Sequence, residues 1–410
     1  MKKGLIIFSL ATLCVTSQAQ EGWTLRQCID YAIEHNIEIQ QTANEAEQNA
    51  IEVNTAKWAR LPNLSGSAGQ NWSWGRSQSP KDNTYSDVNS GSTQFGLNTN
   101  VPLFTGLQLP NQYALSKLNL KAAIEDLNKA KEDIAINVTS SYLQVLFNME
   151  LSKVAASQTE LSKEQCKRII RLAEVGKASS AEVAEAKARV AQDEMSLVQA
   201  ENNYQLALLD LSQLLELPTP EGFTLAQPDT VVNFAPLTAP DDIYTEALSN
   251  KPGIRAAQFR LEGSEKSIRI AQSNYYPQLS FGASIGTNFY TLNGSAEHSF
   301  GSQLKNNLNK GIGFNLSVPL FNRLATRNRV RSARLQQTNL ALQLDNTKKV
   351  LYKEIQQAWY NAVAAESKFN SSMAAVTANE ESFRLMSEKF DNGKATFVAV
   401  SYTHLTLPTT

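Results

Sequence analysis

Cysteine and histidine are scarce in this chain, with three of each in 410 residues. Cys28 and Cys166 lie far apart within helical patterns, so no disulfide framework staples the protein, and both read as core or groove residues. His35, His298 and His404 share no metal-ligand spacing, so neither a metal nor another cofactor is expected. A charge excess is missing too: 38 basic and 39 acidic residues leave a net charge of −1. Nucleic acid is therefore excluded as a partner, because neutralising phosphates needs a basic face. Beyond the first twenty residues no run of about 18 apolar residues occurs, which excludes an ordinary transmembrane helix. That absence does not exclude a membrane β-barrel, whose alternating strands barely register in a hydropathy average. Hydrophobic residues make up 42%, enough for a core, so disorder is excluded as well.

The start of the chain reads as an export signal. Lys2 and Lys3 precede a short apolar stretch, Gly4 to Val15, and Ser17-Gln18-Ala19 forms a small-x-small cleavage site. Residues 1–19 are expected to be a signal peptide.

What the remainder does have is a duplication. Ala56 to Ser65 (AKWARLPNLS) returns as Ala271 to Ser280 (AQSNYYPQLS). Gly96 to Phe104 (GLNTNVPLF) returns as Gly313 to Phe321 (GFNLSVPLF), and Glu174 to Ser179 (EVGKAS) as Asp391 to Thr396 (DNGKAT). The order is kept and the spacing is about 216 residues each time, too long for a solenoid repeat. The expected organisation is one domain over 20–400 made of two repeats, about 24–215 and 241–400. Between them the proline-rich segment 216–240 reads as a linker.

Each repeat follows one plan: a helical stretch (Thr24 to Leu61; Asp241 to Tyr276), a strand, a polar loop (Asp82 to Ser92; Asn293 to Asn307), a second strand and a very long helix. The strands alternate. Leu64, Gly66, Ala68, Trp72 and Trp74 oppose Ser65, Ser67, Asn71 and Ser73. Phe95, Leu97, Val101 and Leu103 oppose Gly96, Asn98 and Asn100. Leu279, Phe281, Ala283, Ile285 and Phe289 oppose Ser280, Gly282, Ser284 and Asn288. Ile312, Phe314, Leu316, Val318 and Leu320 oppose Gly313, Asn315 and Ser317. About 10–12 residues suits a tilted membrane strand. Aromatics at the ends (Trp72, Trp74, Phe104, Phe289, Tyr290 and Phe321) suit interfacial girdles. A soluble sandwich with one wet face would alternate in the same way.

The helices separate the two readings. From Leu109 to Glu174 there is no proline after Pro110 and no glycine, and about 65 helical residues span on the order of 100 Å. The return helix carries a heptad, Val183, Val190, Leu197, Tyr204 and Leu211. A second line of Ala186, Ala200, Ala207 and Leu214 has Asp193 as its exception. The second repeat has its own run from Arg323 to Phe390, with Ile355, Trp359 and Val363 in the places of Val138, Tyr142 and Leu146. Such helices make a rod or a tube. Four strands cannot close a barrel, and an open edge in lipid leaves backbone groups unpaired, so membrane strands require oligomerisation into a ring.

With these motifs in place, the chain resembles the TolC family of outer-membrane efflux proteins. The LPNLS and YPQLS strand openings, the paired VPLF motifs, the paired Gly-Lys turns and the opening WTLRQCIDYAIEHN carry the resemblance, which covers Trp23 to Val400. It implies a mixed α and β membrane protein: long α-helical coiled-coil hairpins forming a periplasmic tunnel, plus four membrane β-strands per chain contributing to a trimeric 12-strand barrel. It implies a homotrimer in outer-membrane lipid of a Gram-negative-type envelope, working with a periplasmic adaptor (membrane fusion) protein and an inner-membrane RND or ABC transporter. By motif match, Val175, Gly176, Lys177, Ala178 and Ser179 form one adaptor-docking turn, and Asn392, Gly393, Lys394, Ala395 and Thr396 the other. Glu182 is a candidate gate residue, whereas Ala399 stands at the matching place of the second copy. Two functional classes follow: an exit duct for efflux or type I secretion, and a non-transporting coiled-coil structural protein of the envelope.

Three further signals need a reading. Gly282-Ala283-Ser284-Ile285-Gly286 matches the GxSxG of hydrolases but sits in an alternating strand, so no enzyme is expected. Arg323, Arg327, Arg329, Arg331 and Arg334 follow the fourth strand and read as a solvated helical face or as a contact with membrane phosphates. Ser401 to Thr410 (SYTHLTLPTT) shares nothing with the heptad helix it should mirror, and 401–410 reads as a non-native tail on a truncated C-terminus.

Overall fold

Proline, capping residues and alternation set the element boundaries in the computed structural model, which describes residues 22–78, 83–87, 89–219, 222–226, 234–292, 296 and 298–395. The expected signal peptide, the 401–410 tail, Thr396 and Ala399 lie outside the described residues. The elements are α1 (Leu25–His35), α2 (Ile37–Trp58), β1 (Asn63–Ser73), β2 (Arg76–Gln78), β3 (Tyr85–Asp87), β4 (Ser90–Thr105), α3 (Gln108–Glu174) and α4 (Ser180–Leu214), followed by α5 (Pro240–Asn250), α6 (Pro252–Ser273), β5 (Gln278–Leu292), α7 (Phe300–Asn306), β6 (Asn309–Ser317) and α8 (Ala325–Asp391). Matching helices have matching lengths: 11 residues in α1 and α5, 22 in α2 and α6, 67 in α3 and α8.

The first helical stretch of each repeat is broken where one helix was expected. Lys251 precedes Pro252 and is extended (ψ 124°), because a residue before proline is pushed out of the helical region. In the first repeat Asn36 makes the break: its Oδ1 accepts from the Glu38 N–H at 2.9 Å and caps α2, while its Nδ2 donates to the Leu214 carbonyl at 3.3 Å. The expected polar loops also hold structure: one contains β3, which pairs with β2 just before the loop, and the other contains α7. The fourth strand ends at Ser317, earlier than expected. Its partner β5 starts at Gln278, just after Pro277, so nothing remains for Val318 or Leu320 to pair with.

The chain divides into two compact units, and these cut across the two repeats. One unit is residues 1–41, 130–240 and 354–410. There the heptad of α4 agrees with burial: Ala186, Asp193, Ala207 and Leu211 are buried, and Val183, Val190, Leu197 and Tyr204 are half-buried. Cys166, Ile169 and Ala186 form a small core near the α3–α4 turn. Cys28 is fully buried and free, and burial pushes its thiol up to about 11. Beside it, Trp23 and Leu225 form a parallel bridge. The Tyr142 hydroxyl secures this bridge, lying 2.9 Å from the Ala226 carbonyl and 3.3 Å from that of Trp23. Burial, and then the nearby Cys28, raises the Tyr142 phenol above its ordinary value.

The other unit is residues 42–129 and 241–353. Its helices are tied by Arg255 to Glu125 at 2.8 Å, with Glu125 buried, and by Arg260 to Asp126. Its antiparallel sheet has the order β1-β4-β5-β6. No helix among the described residues is long and apolar enough to cross a membrane.

Candidate membrane sheet and docking turns

Register divides the sheet into two unlike faces, because successive strand residues point to opposite sides. One face is built from rows such as Val101–Phe281–Phe314, Leu97–Ile285 and Leu279–Leu316. The other is built from small polar residues and glycines: Ser67–Gly96–Gly286–Asn309, Ser65–Asn98–Ser284–Gly311 and Asn63–Asn100–Gly282–Gly313. The apolar face is open, with Ile312 82%, Phe314 72% and Leu64 76% exposed. Across the four strands Lys310 is the one charged residue. A water-facing surface carries interspersed charges, and an apolar patch of this extent marks an interaction with lipid or protein.

Two details depart from simple alternation. A bulge between Pro102 and Phe104 sets Phe104 opposite Leu279, so Phe104 joins the apolar face and Leu103 becomes the extra residue. Phe289 lies on the apolar face, packed edge-on to Phe300 at 5.0 Å, but the adjacent Tyr290 takes the polar face with Asn288. Trp72 and Trp74 are exposed at one end of β1, and Phe321 is exposed past the end of β6.

The sheet edges are open at β1 and β6. β6 stops opposite Gly286, and α7 takes over from there. The Gln303 side-chain amide accepts from the Tyr290 N–H and donates to its carbonyl, both at 3.0 Å, and Asn307 donates to the Asn288 carbonyl at 2.8 Å. Side-chain amides thus continue the ladder where no strand follows. These two residues were missed in the sequence because amides in a polar loop carry no periodicity. Ser284 is paired on both sides in mid-strand, so the GxSxG match has no nucleophile elbow.

The Gly-Lys turns are two copies of one local structure. Gly176 has φ +72°; its N–H donates to Ala173 at 2.9 Å and that of Lys177 to Leu172 at 2.8 Å. Gly393 has φ +69°; its N–H donates to Phe390 at 3.0 Å and that of Lys394 to Lys389 at 2.8 Å. Both are Schellman caps, which need a left-handed residue after the helix. Val175, Lys177, Ser179, Asn392 and Lys394 are exposed, while Ala178 packs on the small core beneath and Ala395 is half-buried. Ser179 caps α4 in a box with Glu182: Ser179 N–H to the Glu182 carboxylate at 2.6 Å, and Glu182 N–H to Ser179 Oγ at 3.2 Å. Hydrogen bonds that the Glu182 carboxylate accepts from the Ser179 backbone N–H, and then from its side chain, hold the Glu182 carboxyl below its ordinary value. Gly176→Ala has free space for its Cβ, so its cost is conformational, about 1 kcal/mol. Thermal unfolding of the variant should show that loss with no change in oligomeric state; a neutral result would mean the turn is not held left-handed.

A sheet with one lipid-compatible face, one polar face and open edges, joined to coiled-coil helices, defines a channel-forming subunit of the outer membrane. Residues 28–216 and 243–409 match the family of outer membrane efflux proteins, and the chain belongs to that family. It is 23% identical over 413 residues to the outer membrane protein TolC of Escherichia coli K12, covering 98% of this chain and 80% of that protein. It is 26% identical over 239 residues to the pyoverdine export outer membrane protein OpmQ of Pseudomonas aeruginosa, covering 57% and 47%. Its fold is similar to the CmeC outer membrane channel of Campylobacter jejuni, with TM-score 0.81 at 18% identity, covering 93% of this chain and 80% of that one. It is also similar to the outer membrane protein VceC of Vibrio cholerae, with TM-score 0.78 at 18% identity, covering 93% and 89%. The protein is an outer-membrane exit duct and not an enzyme. Family members work as trimers with adaptor and inner-membrane pump partners. The alternative of a non-transporting envelope rod is thereby set aside.

Proposed function

We propose that three copies of this chain close a twelve-strand barrel by pairing β6 of one copy with β1 of the next, and that the duct serves a tripartite pump. The open apolar sheet, on which Lys310 opposite Ile285 is the single charge, carries the reading, since unpaired backbone in lipid costs several kcal/mol per group and a four-strand sheet cannot close alone. The polar, glycine-rich face then lines the water-filled lumen. Trp72, Trp74, Phe104, Phe289 and Phe321 form the girdles, and Tyr290 faces the lumen. Residues 24–215 and 241–400 act as two repeats of one domain. Cell fractionation tests this: the protein should appear in outer membranes as an SDS-resistant, heat-dissociable trimer. A soluble monomer would sink the proposal.

Val175 to Ser179 and Asn392 to Thr396 receive the periplasmic adaptor, which bridges to an RND or ABC transporter, and Glu182 acts in the gate. Exposed Lys177 and Lys394 support this as paired cationic points on equivalent turns. The double substitution Lys177→Glu, Lys394→Glu should reduce adaptor cross-linking about tenfold while trimer levels stay unchanged, as like charges replace attractive ones. Unchanged cross-linking would place docking elsewhere.

A further inference from the structure

Just past β6 the chain carries a run of positive charge that no ion pair among the described residues balances. From Lys266 to Leu344 there are nine basic residues and a single acidic one, Glu297. Five of the nine are Arg323, Arg327, Arg329, Arg331 and Arg334. All five are exposed, and among the described residues none of their guanidinium groups has a hydrogen-bond or ion-pair partner. Arg327, Arg331 and Arg334 stand at i, i+4 and i+7 of α8, one stripe along the helix, and like charges so spaced destabilise it. The first turn of α8 holds no acidic residue, so the positive end of the helix dipole adds to the field. Arg329 falls on the opposite side and lines a separate cavity of about 200 Å³ with Asn274, Ser317 and Asn322.

The stripe continues directly from the lipid-compatible face. Leu320 is 92% exposed, Phe321 80% and Leu324 52%, and Arg323 follows Phe321 by two residues. Each further helical turn adds about 5 Å, so Arg323, Arg327 and Arg331 fall within side-chain reach of a headgroup layer some 5–7 Å deep. The corresponding positions of the first repeat hold Gly106, Pro110, Gln112, Ala114 and Lys117, so duplication alone does not account for the cluster.

We infer that Arg323, Arg327 and Arg331 form a binding site for the phosphodiester headgroup of an anionic phospholipid in the periplasmic leaflet of the outer membrane, with Leu320, Phe321 and Leu324 against its acyl chains. Guanidinium groups grip phosphate in forked pairs, and one lipid per copy anchors the barrel rim where strand becomes helix. This rests on the sheet being in the membrane.

The test uses full-length trimers in nanodiscs of phosphatidylglycerol or phosphatidylcholine, with native mass spectrometry counting retained lipid after extraction. Wild-type trimers should retain phosphatidylglycerol over phosphatidylcholine. The triple variant Arg323→Gln, Arg327→Gln, Arg331→Gln should lose that preference, at about fivefold per arginine, on the order of a hundredfold in total. Arg329→Gln should keep it. Equal retention of both lipids by the wild type, or a preference surviving in the triple variant, overturns the site. Displacement of the lipid by equimolar inorganic phosphate assigns a free-anion site instead and overturns it. Dissociation of the triple variant into monomers with lipid per chain unchanged gives the arginines to a neighbouring copy and overturns it too. Failure of the wild type to enter either bilayer overturns the membrane assignment along with it.

Discussion

Phe314→Arg should nearly abolish the outer-membrane oligomer, whereas Asn315→Arg, one residue away, should leave its yield within about twofold of wild type. Phe314 sits mid-strand in β6 on the apolar face, opposite Phe281, with ring centroids 5.2 Å apart. It is 72% exposed in a single chain, so only lipid or another copy can cover it. An arginine facing lipid near the bilayer midplane costs about 2–4 kcal/mol, and each 1.4 kcal/mol is a factor of ten. A ring of three copies bears that charge three times, so a loss of at least about thirtyfold is expected in heat-dissociable oligomer. Asn315 shares its face with Ser280, towards water, where a guanidinium keeps its hydration. That substitution should instead alter single-channel conductance and ion selectivity. Equal yields for the two variants would mean that neither face meets lipid.

That pair of outcomes depends on a face assignment readable from period-two alternation alone, and the strand cores were legible for that reason. One extra residue defeats the same logic. Leu103 continues the apolar spacing of Phe95, Leu97 and Val101, but the bulge hands the lipid-side position to Phe104. Tyr290 and Phe289 cluster as aromatics in the sequence, but adjacent residues of one strand face opposite sides, which clustering does not register. The Gly-Lys turns were legible through duplication, and a Schellman cap explains why both copies keep glycine there. Glu182 illustrates the opposite case. Its place six residues past Gly176 suggested a gate, and its side chain also completes a local cap with Ser179, a pairing the Ser-x-x-Glu spacing itself encodes. The halting of α1 at Asn36 was hidden because asparagine signals a cap only when its amide finds partners, and one partner, Leu214, lies far along the chain.

The exception in the heptad carries the second large effect. Asp193→Ala should destabilise the α3–α4 hairpin by about 3 kcal/mol. Asp193 occupies a line otherwise filled by alanine and leucine, and its side chain is 8% exposed. Its Oδ1 lies 3.5 Å from Arg189 Nε, its Oδ2 accepts from Gln158 at 3.4 Å, and its backbone carbonyl accepts from Thr159 Oγ1 at 3.1 Å. Arg189 Nε is buried without a hydrogen bond, so this carboxylate is what balances it. Removing the carboxylate strands a cation, which costs more than the pair itself contributes. The double variant Asp193→Leu, Arg189→Leu should therefore recover most of the loss, since an apolar pair fits the heptad seam. If the buried pair fixes register, the double variant regains stability but loses uniqueness of α3–α4 pairing, because apolar layers slide more freely than a polar one. Hydrogen exchange over residues 150–200 separates the two properties: faster, uniform exchange in Asp193→Ala, and slow but heterogeneous exchange in the double variant. A single variant within about 0.5 kcal/mol of wild type would show that water reaches Arg189 and that the layer is solvated.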